Sequence, residues 1–174
     1  MLIEQSAAEL NAALEIQGKC TLGRIALIKC NLEAFGHERQ FKTPFKLNFT
    51  HECSAELKER QLVVLAEFNF ESVDASESPR RAFNLGVSYD LSYDLEENCH
   101  PTPTQIDAFK KGNAVYNCWP YVRELLQNAT ARMGFTPPPL PLLRVKVKQD
   151  IPKAGPSSRQ SVSADAKSEP TAKL

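Results

Sequence analysis

The chain of 174 residues is 42% hydrophobic and 24% charged, enough for one domain with a real core and short for two. Its 21 lysines and arginines balance 21 aspartates and glutamates. That excludes a strongly basic nucleic-acid binder, which needs a cationic excess to neutralise phosphates, and an acidic disordered chain.

No apolar run approaches the roughly 20 residues that span a bilayer. The opening MLIEQSAAEL has neither the basic start nor the apolar stretch of a signal peptide. The expected location is the cytoplasm, without membrane insertion. Cys20, Cys30, Cys53, Cys99 and Cys118 are odd in number and include no CxxC pair, which fits reduced, mostly buried thiols. Charge is uneven: residues 1–100 carry 10 basic and 16 acidic side chains, and residues 101–148 carry 7 and 2. An acidic front and a basic back could attract each other within or between subunits; solvated faces are the plainer reading.

Residues 1–19 read as a helical arm. Ser6 and Glu9 form a capping-box pattern, Leu10, Ala13, Leu14 and Gln17 share a stripe, and Gly18 is placed to stop the helix in the left-handed conformation. So short a helix must dock on something.

The period then falls from 3.6 to 2. Leu22–Phe35 is a long apolar-rich strand candidate. Phe45, Leu47, Phe49, His51 and Cys53 alternate with polar residues, as do Leu62, Val64, Ala66, Phe68 and Phe70, and then Phe83, Leu85, Val87, Tyr89, Leu91, Tyr93 and Leu95. Strict alternation predicts an antiparallel sheet with one covered and one wet face. The segments 55–60 and 73–82 are polar, short connections. The 36–44 connection contains Phe41 between Phe35 and Phe45, so it is packed down or meant to touch something apolar.

Pro101 and Pro103 end the sheet. Thr104, with Asp107 three residues on, is the expected cap of a helix whose apolar spacing runs from Ile106 to Met133. Pro120 falls inside it, which predicts two pieces, about 105–116 and 119–133, with a kink near Asn117 and Gly134 as the stop. The prolines of TPPPLPLLRVKVKQ favour an extended path, and alternation of Leu143, Val145 and Val147 with Arg144, Lys146 and Lys148 predicts a short edge strand. Residues 149–174 read as a disordered tail, leaving 20–148 as the main domain.

No phosphate-binding loop, nucleophile elbow or zinc-protease helix occurs. Asp90 and Asp94 lie on the wet face with no partner base. His51 with Cys53, and Cys99 with His100, are zinc-ligand types, but their spacing matches no zinc signature and the first pair faces inward on a strand. No catalytic residue, metal or cofactor is expected. Trp119, the one tryptophan, sits beside Pro120 and Tyr121, a position that suits a core residue or the wall of a groove or subunit contact.

The stretch from Asn113 to Val147 resembles the SecB family of bacterial export chaperones. Trp119, Pro120, Tyr121, Arg123 and Glu124 match its aromatic-Pro-Tyr-x-Arg-Glu motif, and Arg132, Gly134, Phe135 and Pro137 match the end of its helix and the proline loop. The preceding strands and the 36–44 crossover look like the SecB sheet. The resemblance implies an α+β fold: a four-stranded antiparallel sheet with a long kinked helix packed on one face. It also implies a homotetramer built as a dimer of dimers, ATP-independent holding of unfolded or preprotein chains for export, and the SecA motor as a partner. The sequence departs from the family after Pro141, where SecB proteins continue into a second helix and an acidic tail; here it alternates, is basic, and ends in a near-neutral tail. Client grooves would be lined by the crossover loop, the helix and the proline loop, with candidates Phe35, Phe41, Phe45, Trp119, Tyr121, Val122, Leu125, Leu126, Phe135, Leu140 and Leu142, some of them core; the proline loop is suited to act as a lid. The alternative is an interaction module dedicated to one partner, such as an antitoxin or a mobile-element protein.

Overall fold

The computed structural model describes residues 2–148; the expected tail lies outside the described residues. Strand β1 (Leu2–Ser6) leads into helix α1 (Ala7–Gln17). The capping box is present: the Glu9 N–H donates to Ser6 Oγ at 3.1 Å and the Ser6 N–H to Glu9 Oε2 at 2.8 Å. Two expectations for this helix fail. Gly18 is right-handed (φ −72°), because the helix ends on ordinary bonds from the Gly18 and Lys19 N–H groups to Leu14 O and Ile16 O. The buried residues are Ala13 and Ile16, with Leu14 left exposed. α1 lies against the start of the long helix, where Gln105 bonds to Glu15 and Asn113 Nδ2 donates to Gln17 Oε1 at 2.9 Å.

The main sheet comprises β2 (Cys20–Ala34), β3 (Lys46–Lys58), β4 (Gln61–Val73) and β5 (Arg81–Leu95) in the order β2-β5-β4-β3, all neighbours antiparallel. The 35–45 crossover therefore carries the chain from one edge of the sheet to the other. The alternation places Leu62, Val64, Ala66, Phe68 and Phe70 of β4, and the apolar residues of β5 from Phe83 to Leu95, in the core as expected. The 55–60 connection is shorter than its sequence suggested: pairing runs to Lys58↔Gln61, closed by Glu59 and Arg60 with Glu59 in the left-handed region (φ 53°).

The covered face packs under one continuous helix: α2 (Pro103–Phe109), a π-turn (Lys110–Ala114) and α3 (Val115–Arg132). Its cap is Thr102, not Thr104. Gln105 N donates to Thr102 Oγ1 at 3.3 Å and Thr102 N to Gln105 Oε1 at 2.7 Å, which leaves Pro103 at the first helical position, where its missing N–H costs nothing. The expected break near Asn117 is absent. Pro120 stands inside α3, with Pro120 and Tyr116 both on the exposed side, where water can satisfy the Tyr116 carbonyl that proline cannot. The irregularity lies upstream, as the π-turn.

Gly134 (φ +78°) ends α3, and the proline segment leads to β6 (Arg144–Lys148). The edge strand expected here finds a partner that local sequence does not reveal: β1 pairs with it in parallel, from Leu2↔Arg144 to Ser6↔Lys148.

Candidate functional site

Residues brought together by the crossover and the end of α3 form one aromatic cluster. Phe135 meets Phe41, Phe45 and Phe83 with ring centroids 6.1, 5.7 and 5.4 Å apart. Two polar ties fix it. The Glu38 carboxylate accepts from the Thr136 N–H at 3.1 Å and from its hydroxyl at 2.9 Å, joining the crossover to the first residue of the proline segment. Asp74, buried behind the loop, accepts from the Arg80 N–H at 2.9 Å, Ser76 Oγ at 2.6 Å and the Arg80 guanidinium at 3.0 Å. Arg80 also donates to Gln40 O at 2.6 Å and lies over the Phe41 ring at 5.1 Å. The Arg80 N–H first, then Ser76, hold the Asp74 carboxyl well below the usual carboxylate range.

A second tie holds the proline segment onto the helix: the Trp119 indole N–H donates to Pro141 O at 3.0 Å, and the ring meets Phe49 edge-on at 5.5 Å. The expected groove residues thus divide by exposure. Phe35, Tyr121 and Leu142 are exposed, and Phe41, Phe45, Leu125 and Leu140 are half-buried. Trp119, Val122, Leu126 and Phe135 are buried; in this arrangement they are core and present no surface to a client. Phe35 follows β2 with its N–H on Ala82 O at 3.0 Å, and Tyr121 reaches Tyr89 at 6.5 Å.

Residue type alone did not single out β2. Directly opposed residues of an antiparallel pair share a face, so Leu22, Leu27 and Leu32, opposite Tyr93, Tyr89 and Leu85, lie on the helix side of the sheet. The helix buries their partners but leaves these three 41, 46 and 42% exposed. An apolar strip thus lies exposed along the β2 edge of the face that the helix covers, and at the other edge Leu57, opposite buried Leu62, is exposed to the same degree as Leu22.

The zinc-ligand types do not assemble. His51 stacks on Phe49 at 5.5 Å and Phe68 at 6.3 Å. Burial pushes the thiols of Cys53 and Cys118 up to about 11 and about 12. Among the described residues no group of three or more His, Cys, Asp or Glu could hold a metal ion. Asp90 pairs with Arg24 at 2.5 Å and Asp94 accepts from Gln61 at 3.1 Å, so each is tied to its own neighbour. Burial also lowers the pKa of His51 below the ordinary 6.5. The unfolded chain then takes up a proton that the folded chain refuses. This contribution to stability is full above pH 6.5 and lost as pH falls below it. Urea unfolding between pH 7 and 5 should show wild type losing stability over that range, and His51→Gln losing less of it.

A concavity of about 870 Å3 lies across the sheet and is lined on its polar face by Asn31, Asn48, Asn69 and Asn84; among the expected groove residues it includes none. A second, of about 450 Å3, opens between β1, β2 and the π-turn. No described helix is long and apolar enough to cross a membrane.

No protein-family model matches the sequence, and no curated protein does. Among solved structures, a SecB-like chaperone of Mycobacterium tuberculosis, in complex with a ChAD peptide from an antitoxin, is similar at a TM-score of 0.68 and 13% identity, over 77% of this chain and 97% of that one. A protein of unknown function from Streptococcus agalactiae gives a TM-score of 0.43 at 12% identity, over 71% of this chain and 98% of that one. The strand order, the crossover and the long helix on one face are those of a SecB-like fold.

Proposed function

We propose that the chain is an ATP-independent holdase: it binds unfolded or preprotein segments in apolar surface grooves, in the cytoplasm, as a homotetramer built from two dimers. The observation that carries this reading is the bare strip of Leu22, Leu27 and Leu32 on the helix side of β2. A contiguous apolar edge on a finished fold marks a contact surface, and a second copy is its natural cover.

The client surface lies where the crossover meets the proline segment. Half-buried Phe41 and Phe45 share a cluster with Phe135, and the proline segment, held by the ties at Thr136 and Trp119, is the lid. Burying apolar surface at about 25 cal/mol per Å2 favours any extended apolar segment without reading its sequence. The SecA motor stays in this reading as the partner that the resemblance implies, although the basic β6 stands where the SecB pattern has a second helix.

The test is suppression of aggregation of unrelated unfolded proteins at stoichiometric ratio. Phe41→Ala should weaken client binding by about 1–3 kcal/mol, the range of an aromatic anchor, with a smaller effect on thermal stability because the ring is only half-buried. Unchanged binding would remove the crossover from the client surface. The second reading, a module dedicated to one partner, draws on the antitoxin peptide held by the Mycobacterium tuberculosis protein of like fold. A pulldown yielding one dominant partner, with no protection of unrelated clients, would favour it.

A further inference from the structure

Strand β1 sits in the fold as an extended ligand sits in a groove. Its backbone pairs in parallel with β6 along its whole length. Ile3 and Gln5 are buried, while Glu4 between them is exposed and stands opposite Lys146. Gln5 Nε2 donates to Ala108 O at 3.0 Å in a buried bond with the helix. Gly112 in the π-turn makes room for that amide: a Cβ there would lie 2.9 Å from both its nitrogen and its oxygen. β1 does not fill the space it enters, since the cavity of about 450 Å3 opens beside Gln5, walled by Leu22, Phe109, Tyr116 and Val145.

We propose that the groove between β6 and the π-turn is a binding site for an extended peptide, which β1 occupies in cis. The ligand it takes is a client segment laid parallel to β6, carrying an apolar residue, an acidic residue and an amide at successive positions. The backbone ladder supplies affinity and the alternate side chains supply selectivity, as in strand addition generally. The charge fits: β6 carries Arg144, Lys146 and Lys148 on the receiving strand. Exchange is feasible because a two-stranded pairing is marginal by itself, while α1 is held separately by buried Ala13 and Ile16 and by the Glu15 and Gln17 contacts. A tethered strand competes at an effective concentration in the millimolar range, so a free peptide sees the site only when β1 is weakened. The inference rests on the holdase reading only for the source of the ligand.

The experiment uses the full chain and a fluorescent synthetic peptide of residues 1–6, MLIEQS, read by anisotropy. Ile3→Ser/Gln5→Ala, shown to be folded by its melting curve, should bind the peptide at least about tenfold more tightly than wild type. Gln5→Ala alone, the milder change, should show part of that gain. Adding Gly112→Ala should weaken the binding several-fold, because the methyl forces the incoming amide to shift, whereas alanine is the better helix former. Absence of any gain in both β1 variants would overturn the proposal, and so would peptide binding indifferent to Gly112→Ala. A full chain that fails to suppress aggregation while its β1 variants bind the peptide would sink the holdase reading and leave this site standing.

Discussion

Trp119→Ala should lower the stability of the chain by about 3–5 kcal/mol, the cost of deleting a large aromatic from a packed core. The indole is 4% exposed, and the substitution opens a void against Phe49 and frees the proline segment at Pro141. In a chain of this size the melting temperature falls by roughly 10 °C. Trp119→Phe keeps most of the packing and loses the N–H, so it should cost about 1–2 kcal/mol. Urea unfolding followed by circular dichroism measures both. A Trp119→Ala chain with wild-type stability but weakened client binding would instead return Trp119 to the groove wall.

Leu27→Asp should break the contact that covers the β2 strip and so reduce the size of the assembly. In one chain Leu27 is 46% exposed, so a carboxylate there is solvated and the fold stands. In an interface the same carboxylate is buried unpaired in every copy, at a cost of several kcal/mol each. Light scattering should show Leu27→Asp at a smaller mass than wild type, and wild type at a multiple of the chain mass of 19.4 kDa. A wild-type mass already at that value would end the tetramer reading.

The four long strands were legible because one covered face imposes a period of two on residue type, and β4 and β5 show it without interruption. The long helix was legible from its apolar spacing, but its details were not. Thr102 and Thr104 are equally good caps until Pro103 is seen at the first helical position, and a proline on the exposed side of a helix, with the carbonyl four residues before it also exposed, is tolerated where one facing the core is not. β1 was invisible because the five residues that run into the capping box at Ser6 carry no clear period, and their partner lies at the other end of the described chain. The candidate site was legible as a set of aromatics and not as a surface. Phe135 and Phe45 are the same residue type; only the packing of Phe83 and the helix end makes the first core and leaves the second half-buried. The bare strip on β2 was hidden because Leu22, Leu27 and Leu32 are five residues apart, and only the register shifts between Leu22 and Arg24 and between Leu27 and Lys29 bring all three to one face.

The pairing of Leu2 with Arg144 also orders events in time. Synthesis at about 5–20 residues per second separates the two strands by on the order of ten seconds, while the antiparallel β3–β4 and β4–β5 neighbours follow one another directly. Local contacts form first and distant ones pay for closing the longest loop. The Gln5 amide can meet the helix as soon as Ala108 and Gly112 have been made, but the ladder beside it must wait for Val145 and Val147. The newborn chain therefore passes through a stage in which its first strand is seated by side chains alone, and the β1–β6 ladder is the last part of the fold to close.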